Sequence, residues 1–167
     1  TLHLTTIPKL TRAEIDKLKQ ALPNCVIYHD LMNAAELIEA ELRNQLKKPG
    51  GEITQEDMAK LRSFTINVRK VTDISPLKSA INMDYINIVS CTISDLTALA
   101  GMKKLKTLYA HNNRISDLSP LAGLTNLRTL HLGANPITDL TSLAGLKQLT
   151  TLHLTTIPKL TRAEIDK

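Results

Sequence analysis

Aromatic side chains are nearly absent from this chain, which has one Phe, three Tyr and no Trp among its 167 residues. Residues of the apolar types make up 43% of the sequence, so the core that they form must be almost entirely aliphatic. Abundant leucine at a fixed spacing, with few rings, favours a repetitive solenoid over a compact mixed core. The length fits one domain with enough apolar residues to bury.

Cysteines and long apolar runs are scarce as well. The two cysteines, Cys25 and Cys91, do not make a disulfide framework and leave the redox compartment open. No run of eighteen apolar residues occurs, and no signal peptide or anchor is visible, so we expect a soluble protein without a membrane partner and of unknown location. Phosphate-binding loops, nucleophile elbows and zinc-protease helices are also missing, so the sequence predicts neither an enzyme nor a cofactor.

A period of 22 residues runs through the middle of the chain. Its five units begin at Leu61, Met83, Leu105, Leu127 and Leu149. Apolar residues follow three and five positions later, which matches the leucine-rich-repeat pattern L-x-x-L-x-L-x-x-N/C-x-I/L. The alternation predicts short strands with leucines inward, and the Ser-Pro and Ala-Gly steps that follow predict tight 3₁₀ turns. We therefore predict an α/β fold: a right-handed leucine-rich-repeat solenoid with a parallel concave sheet, 3₁₀ turns on the convex side and helical caps.

The bend after each strand carries an inward polar or thiol side chain, namely Cys91, Asn113 and Asn135. An Asn there can satisfy backbone groups that a turning, half-buried chain would leave unpaired, so these residues are predicted to form a structural ladder. We expect Cys91 to be a buried structural residue rather than a nucleophile.

Four aspartates recur at one position of successive repeats and suggest either a calcium-binding stripe or caps of the convex turns. They are Asp73, Asp95, Asp117 and Asp139. Each follows a Ser or Thr, and an Asp in that place more often caps the convex turn, so we favour the caps.

The chain opens and closes with the same seventeen residues. TLHLTTIPKLTRAEIDK occupies Thr1–Lys17 and again Thr151–Lys167, without a substitution. An unaltered copy indicates recent or deliberate duplication, so we interpret the chain as an engineered self-fused or circularly permuted module. The predicted parts are a C-terminal cap placed first at 1–30, an N-terminal helical cap at 31–60, the repeats at 61–150 and the duplicate at 151–167.

Residues 1–30 have the pattern of a closing cap. Thr11 to Leu22 is predicted to be a helix with Ile15, Leu18 and Leu22 inward, followed by a strand at Cys25–His29. The linker to the N-terminal cap, Asp30-Leu31-Met32, spans at most ~10 Å. Five repeats separate the two ends of the solenoid by over ~25 Å, so residues 1–30 cannot reach the chain's own last repeat. We therefore predict that residues 1–30 cap a neighbouring copy, head to tail, or belong to a preceding module of the same array. In a discrete chain of 167 residues the two TLHL copies should compete, so that one is displaced or disordered.

The concave side, at repeat positions 3, 5, 7 and 8, carries no Lys, Arg, Asp or Glu, although the net charge is +5. A groove that follows phosphates needs basic residues, so we predict no nucleic-acid partner. The candidate residues for binding a protein ligand on this face are Tyr85, Asn87, Tyr109, His111, His131 and His153.

Three of these residues, His111, His131 and His153, could alternatively bind zinc or copper, because neighbouring strands lie ~4.8 Å apart. No carboxylate on this face is available to orient them, which favours a solvated polar column without a metal.

Residues 113–149, NRISDLSPLAGLTNLRTLHLGANPITDLTSLAGLKQL, resemble the internalin family of bacterial surface proteins. The resemblance covers residues 33–157, and it implies a curved solenoid that binds protein partners on its concave face and a secreted or surface parent. We predict a non-catalytic scaffold, an engineered building block whose duplicated ends support head-to-tail assembly. The alternatives are a protein-binding module that uses the concave Tyr/His face, and a metal-binding His column.

Overall fold

The structure, a computed structural model, describes residues 1–4 and 10–157. Its elements form two parallel sheets, three helices and four 3₁₀ turns. The strands are β1 (Leu2–Leu4), β2 (Ile27–His29), β3 (Ser63–Thr65), β4 (Tyr85–Asn87), β5 (Thr107–Tyr109), β6 (Thr129–His131) and β7 (Thr151–His153). The helices are α1 (Arg12–Ala21), α2 (Ala34–Leu46) and α3 (Gln55–Lys60). The 3₁₀ turns are Ser75–Ser79, Thr97–Leu99, Ser119–Leu121 and Thr141–Leu143.

Each repeat contributes one three-residue strand to a five-stranded parallel sheet in the order β3-β4-β5-β6-β7. The central residue of each strand points inward: Leu130 is fully buried and lies in register with Leu108 and Leu152. Its neighbours Thr129 and His131 point outward and are half-buried. The prediction that the leucines of the strands point inward is confirmed, and so is the leucine-rich-repeat solenoid.

The convex turns are capped by the recurring aspartates. Asp117 accepts the backbone N–H of Ser119 on Oδ1 and the hydroxyl of Ser119 on Oδ2, both at 2.8 Å. The same pair of bonds occurs at Asp73, Asp95 and Asp139. The prediction that these residues cap turns is confirmed, because each carboxylate satisfies the N–H and the hydroxyl of the residue that opens the turn.

Helix α2 lies between two apolar cores. Ile38 and Leu42, one turn apart, pack into the repeat core, while Ala40 packs with Val26 and Met32 from the other side. The N-cap Asn33 and Glu36 form a capping box. A helix that is apolar on both sides must be covered on both sides, so α2 joins the repeats to residues 1–30.

Residues 1–4 and 10–30 form a small unit on the outer side of α2. The Thr11 capping box opens α1, and Ile15 is fully buried, as predicted. Leu22 was predicted to point inward, which is wrong: it is the C-cap, where the helix has ended, and 41% of it is exposed. The final strand is also shorter than predicted and begins at Ile27.

Polar contacts fix this unit to α2. Arg12 forms an ion pair with Glu36, the hydroxyl of Tyr28 donates to Glu41 at 2.9 Å, and Thr1 bonds to Asn44 at 3.0 Å. Residues 1–30 therefore lie at the end of the solenoid opposite β7.

Both TLHL copies are strands in the described part of the chain. β1 pairs with β2 in a two-stranded parallel sheet, and β7 pairs with β6 in the other sheet. The expectation that one copy is displaced is wrong, because α2 and β2 together give the first copy a separate position.

Candidate binding surfaces on the concave face and at the sheet edges

Four rings on the concave face form a continuous column, which we call the ring column: Tyr85, Tyr109, His131 and His153. The parallel register places Tyr109, His131 and His153 side by side on neighbouring strands. Ring centroids lie 5.7 Å apart for Tyr85–Tyr109, 4.6 Å for Tyr109–His131 and 4.0 Å for His131–His153. The first two contacts are edge-to-face and the last is stacked, both favourable ring arrangements.

The two other predicted concave residues are less available. Asn87 donates to the hydroxyl of Tyr85 at 3.4 Å and accepts the backbone N–H of Val89 at 3.2 Å, so its amide is used locally. His111 lies 6.5 Å from His131 between ring centroids and is tilted by 44°. A ligand on this face would contact the ring column first.

The histidines do not converge on a common point. His131 and His153 are stacked with an interplanar angle of 16°, and the nitrogen lone pairs of stacked imidazoles point in parallel directions in the ring planes rather than toward one ion. Within residues 1–4 and 10–157, no three His, Cys, Asp or Glu side chains form a group that could hold a metal. The geometry gives the zinc or copper alternative no support.

The packing of the ring column opposes protonation of His131. Desolvation lowers the pKa of His131, and the neighbouring His153 and His111 lower it further. A stacked, partly buried imidazole is best accommodated neutral. The surroundings of His131 therefore favour the neutral form of its ring.

Beneath the concave face, two asparagines satisfy the backbone of the turning chain. Asn135 accepts the N–H of Ile115 at 2.9 Å and donates to the carbonyls of Ala110 and Leu132 at 2.9 and 2.8 Å. Asn113 makes the same bonds one repeat earlier. These bonds link consecutive repeats and hold the concave strands at a fixed spacing.

Cys91 occupies the same position of the preceding repeat. Its thiol contacts the carbonyls of Ile66 and Val89 at 3.7 and 3.6 Å, and burial raises the pKa of Cys91. A buried thiol with a raised pKa is a poor nucleophile. Cys91 lies inside the solenoid and the ring column outside, so the two do not meet.

The outer edges of β1 and β7 are the second candidate surface, and sequence reasoning did not identify them. Within the described residues, β1 is the last strand of one sheet and β7 the last strand of the other. At the β7 end, Leu152 is 39% exposed although its counterpart Leu130 is fully buried. The signal was available in the pattern: the inward leucine of a repeat is covered by the next repeat, and the regular 22-residue pattern places Leu152 in the fifth unit.

The histidine His29 was also missed by sequence reasoning. It is 3% exposed at the end of β2, and neither ring nitrogen has a hydrogen-bond partner. Burial lowers the pKa of His29, as does the charge of Lys19. Its burial follows from the packing of residues 1–30 on α2, which the local sequence pattern does not contain.

A stack of strand-and-turn units around an aliphatic core, joined by an internal asparagine ladder, defines a leucine-rich-repeat solenoid. The family description "Leucine Rich repeats (2 copies)" matches residues 81–123, 103–145 and 125–166, which together cover more than half of the sequence. The chain belongs to the leucine-rich-repeat family. Among curated proteins, no sequence matches the chain.

Two solved structures of internalins from Listeria monocytogenes are similar to this chain. An internalin (inlF) is 29% identical, with a TM-score of 0.71, over 86% of this chain and 40% of the internalin. An internalin C2 (inlC2) is 32% identical, with a TM-score of 0.61, over 76% of this chain and 58% of the internalin. The predicted similarity to internalins is confirmed, and the chain spans less than two thirds of the length of either one.

A leucine-rich-repeat protein from Leptospira interrogans shares the fold alone. It is 15% identical, with a TM-score of 0.59, over 70% of this chain and 36% of that protein. Proteins of this family generally offer binding surfaces for other proteins. Over the described residues, no helix is both long enough and apolar enough to cross a membrane.

Proposed function

We propose that this chain is a non-catalytic leucine-rich-repeat scaffold whose duplicated ends support head-to-tail association with further copies of itself. The observation that carries the proposal is the position of the two TLHL copies. Among the residues that the structure describes, the copy at Leu2–Leu4 is an edge strand of the two-stranded sheet, and the copy at Thr151–His153 is an edge strand of the five-stranded sheet. Two sheet edges of identical sequence on opposite sides of α2 are a basis for a heterologous contact that repeats without closing.

The absence of a catalytic role is part of the proposal. Nucleophilic chemistry needs a thiol or hydroxyl beside a base, whereas the Cys91 thiol and the histidines of the ring column lie on opposite sides of the concave strands. The column itself is paired ring to ring, with no carboxylate among its members.

Sedimentation velocity over a hundredfold range of protein concentration tests the association. We expect the wild-type weight-average mass to rise with concentration, and Leu152→Glu to remain a monomer because association would bury the introduced charge at the open edge. Ile81→Glu is the matched control: Ile81 is 51% exposed, away from both edges, and we expect it to associate like wild type. A wild-type protein that stays monomeric throughout, or equal behaviour of the two variants, contradicts the proposal.

The second candidate function is protein binding on the concave face, favoured by the continuous ring column. Tyr is among the residues that dominate binding hot spots, and the column offers a partly exposed row of rings without a carboxylate, Lys or Arg. Peptide display selected on wild type, followed by binding to Tyr109→Ser, tests it. Selected peptides should lose at least tenfold in affinity with Tyr109→Ser and keep their affinity for Asp95→Ala on the convex side. Peptides that bind both variants equally contradict this candidate.

The metal alternative is tested by a thermal shift. Since the stacked histidines do not converge, we expect zinc at ~50 µM to leave the melting temperature unchanged. A shift that disappears when both His131→Ala and His153→Ala are introduced would restore the metal site as the function.

We also propose that the duplication arose by engineered self-fusion or circular permutation of an internalin-like parent that is secreted or surface-attached in bacteria. The support is the identity of the two seventeen-residue copies beside repeats that differ at most exposed positions. The codons of the two copies test it: independent natural drift would leave synonymous differences, whereas deliberate duplication leaves a designed or identical pair.

A further inference from the structure

The backbone hydrogen bonds of the repeats follow one rule along the sheet. The inward residue that follows each strand donates its N–H to the next strand: Ile66 to Asn87 at 2.8 Å, Ala110 to His131 at 2.9 Å, and Leu132 to His153 at 2.9 Å. In parallel strands, successive residues bond alternately to the two neighbouring strands. Inward residues therefore bond to the strand that comes next in the chain, on what we call the later side. Outward residues bond to the preceding strand, on the earlier side.

The first copy of TLHL obeys the same rule. Leu2, which corresponds to Leu152, donates its N–H to the carbonyl of Val26 at 2.7 Å at the start of β2. β2 consequently lies on the later side of β1, and no strand among the described residues pairs with the earlier side of β1, where the peptide groups of Thr1 and His3 point. β7 is the reverse: β6 pairs with its earlier side, and within residues 1–4 and 10–157 no strand pairs with its later side, which includes Leu152 and Leu154.

The two open edges are therefore complementary in direction and in bonding pattern. A parallel strand placed on the later side of β7 must present the carbonyl and N–H groups of its own outward residues. β1 presents those groups on its earlier side. The apolar contacts match as well, since Leu152 is exposed at one end and Leu2 and Leu4 are half-buried at the other.

From this we infer that the partner of the β7 edge is β1 of a second copy, added in register as the next strand of the sheet. The pairs are Thr151 with Thr1, Leu152 with Leu2, and His153 with His3 of the second copy. The inference rests on the proposed head-to-tail association and specifies its interface. Addition keeps both the β6–β7 and the β1–β2 pairings, whereas exchange of one TLHL copy for the other would break a pairing that the structure contains.

In-register addition also extends the ring column from one copy to the next. His3 and Tyr28 are stacked, with centroids 4.7 Å apart and an interplanar angle of 4°. His153 and His3 occupy the same repeat position, so the column would run from His153 of one copy to His3 and Tyr28 of the next. The added strand would thus cover Leu152 on the inner side and continue the rings on the outer side.

Disulfide trapping between copies tests the register. All variants carry Cys25→Ser, which leaves Cys91 buried as the remaining native thiol. The pair His153→Cys with His3→Cys reports in-register addition, because paired Cα atoms of neighbouring strands lie ~4.8 Å apart, within the range that a disulfide spans. Two control pairs report exchange: His131→Cys with His3→Cys, if the second copy's β1 replaces β7, and His153→Cys with Tyr28→Cys, if its β2 pairs with β7.

Mild oxidation at a concentration where wild type associates should give a ladder of reducible oligomers for His153→Cys with His3→Cys, at least tenfold stronger than for either control pair. A ladder from a control pair overturns the inference and leaves the association standing, with exchange as its mechanism. No ladder from any pair, in protein that sediments as oligomers, also overturns the inference. No oligomers by sedimentation overturn the inference and the proposed function together. Circular dichroism of each reduced variant establishes that it has folded.

Discussion

Single residues determine how each repeat turns beneath the concave sheet. One position of the last four repeats adopts the left-handed conformation, with φ between 54° and 59° at Ser90, Asn112, Ala134 and Thr156. Its N–H donates to the next repeat, as Ala134 does to Thr155 at 2.9 Å. A Cβ atom makes this conformation unfavourable by ~1–2 kcal/mol, and Asn tolerates it better than Ala. Ala134 is thus a strained residue in an exposed turn.

Ala134→Gly should stabilise the protein by about 0.5–1 kcal/mol, because the relief of strain exceeds the added freedom of the unfolded chain. Urea unfolding measures the free energy change. Ala122→Gly is a control for which the opposite effect is expected. The backbone of Ala122 is in the right-handed helical region, with φ −54° and ψ −30°, so its change to Gly should destabilise the protein. Equal losses at the two positions would show that Ala134 is not strained.

His29 determines how stability responds to acid. Its lowered pKa means that the fold favours the neutral ring; Lys19 and Arg12 oppose protonation, while Glu36 and Asp16 favour it. A group with a depressed folded-state pKa gives stability that is complete above its unfolded value near 6.5 and is lost as the pH falls below it. We expect the melting temperature to decrease between pH 7.5 and 5.

His29→Leu should raise stability at pH 7.5 by about 1 kcal/mol, because it removes two unpartnered buried nitrogens without leaving a large cavity. This substitution should also make the melting temperature decrease less between pH 7.5 and 5. His131→Gln is the comparison, since it should remove the smaller part of the pH dependence that His131 contributes. An unchanged pH dependence in His29→Leu would contradict the assignment.

At the scale of elements, the repeats are joined by the asparagine ladder as well as by apolar packing. Asn135 bonds to residues of its own repeat and of the preceding one in a site that is 2% exposed. Each bond replaces one that water would otherwise supply to a turning backbone. The ladder therefore fixes the angle between neighbouring repeats.

Asn135→Ala should cost about 3 kcal/mol, since it leaves the N–H of Ile115 and buried carbonyls without partners. Asn126→Ala is the matched control, because Asn126 makes a single exposed bond to Lys103 at 2.7 Å; its loss should be below about 1 kcal/mol. Chemical unfolding of both variants measures the difference. Comparable losses would mean that the ladder bonds contribute no more than a surface hydrogen bond.

The strands, convex caps and ladder could be predicted because each depends on residues within one 22-residue unit or its direct neighbour. Leu130, Asp117 and Asn135 owe their environments to that local repeat. The docking of residues 1–30 on α2 could not be predicted, since it depends on a second apolar side of α2 at Ala40, which is too small to stand out in a helical pattern. The burial of His29 follows from that docking. The ring column was predicted as a set of residues, but its stacking depends on rotamers that the sequence does not contain.

At the scale of the whole molecule, α2 lies between the two sheets and contacts β2 on one side and β3 on the other. Within the described residues, β1 and β7 are edge strands of these sheets. Open edges are normally protected, because they invite pairing with other chains. Here the edges carry the same sequence and opposite bonding directions, so the pairing that we propose between copies would extend the sheet without closing it and would yield linear assemblies.

Electron microscopy of particles at a concentration where the protein associates tests that claim most directly. Six strand spacings of ~4.8 Å, one of them between copies, and one helix layer of ~10 Å give a repeat of roughly 40 Å per copy along the axis. We expect open, unbranched particles of variable length with that repeat, and single short particles for Leu152→Glu. Closed two-fold dimers of uniform size, or single short particles for the wild type, would contradict it.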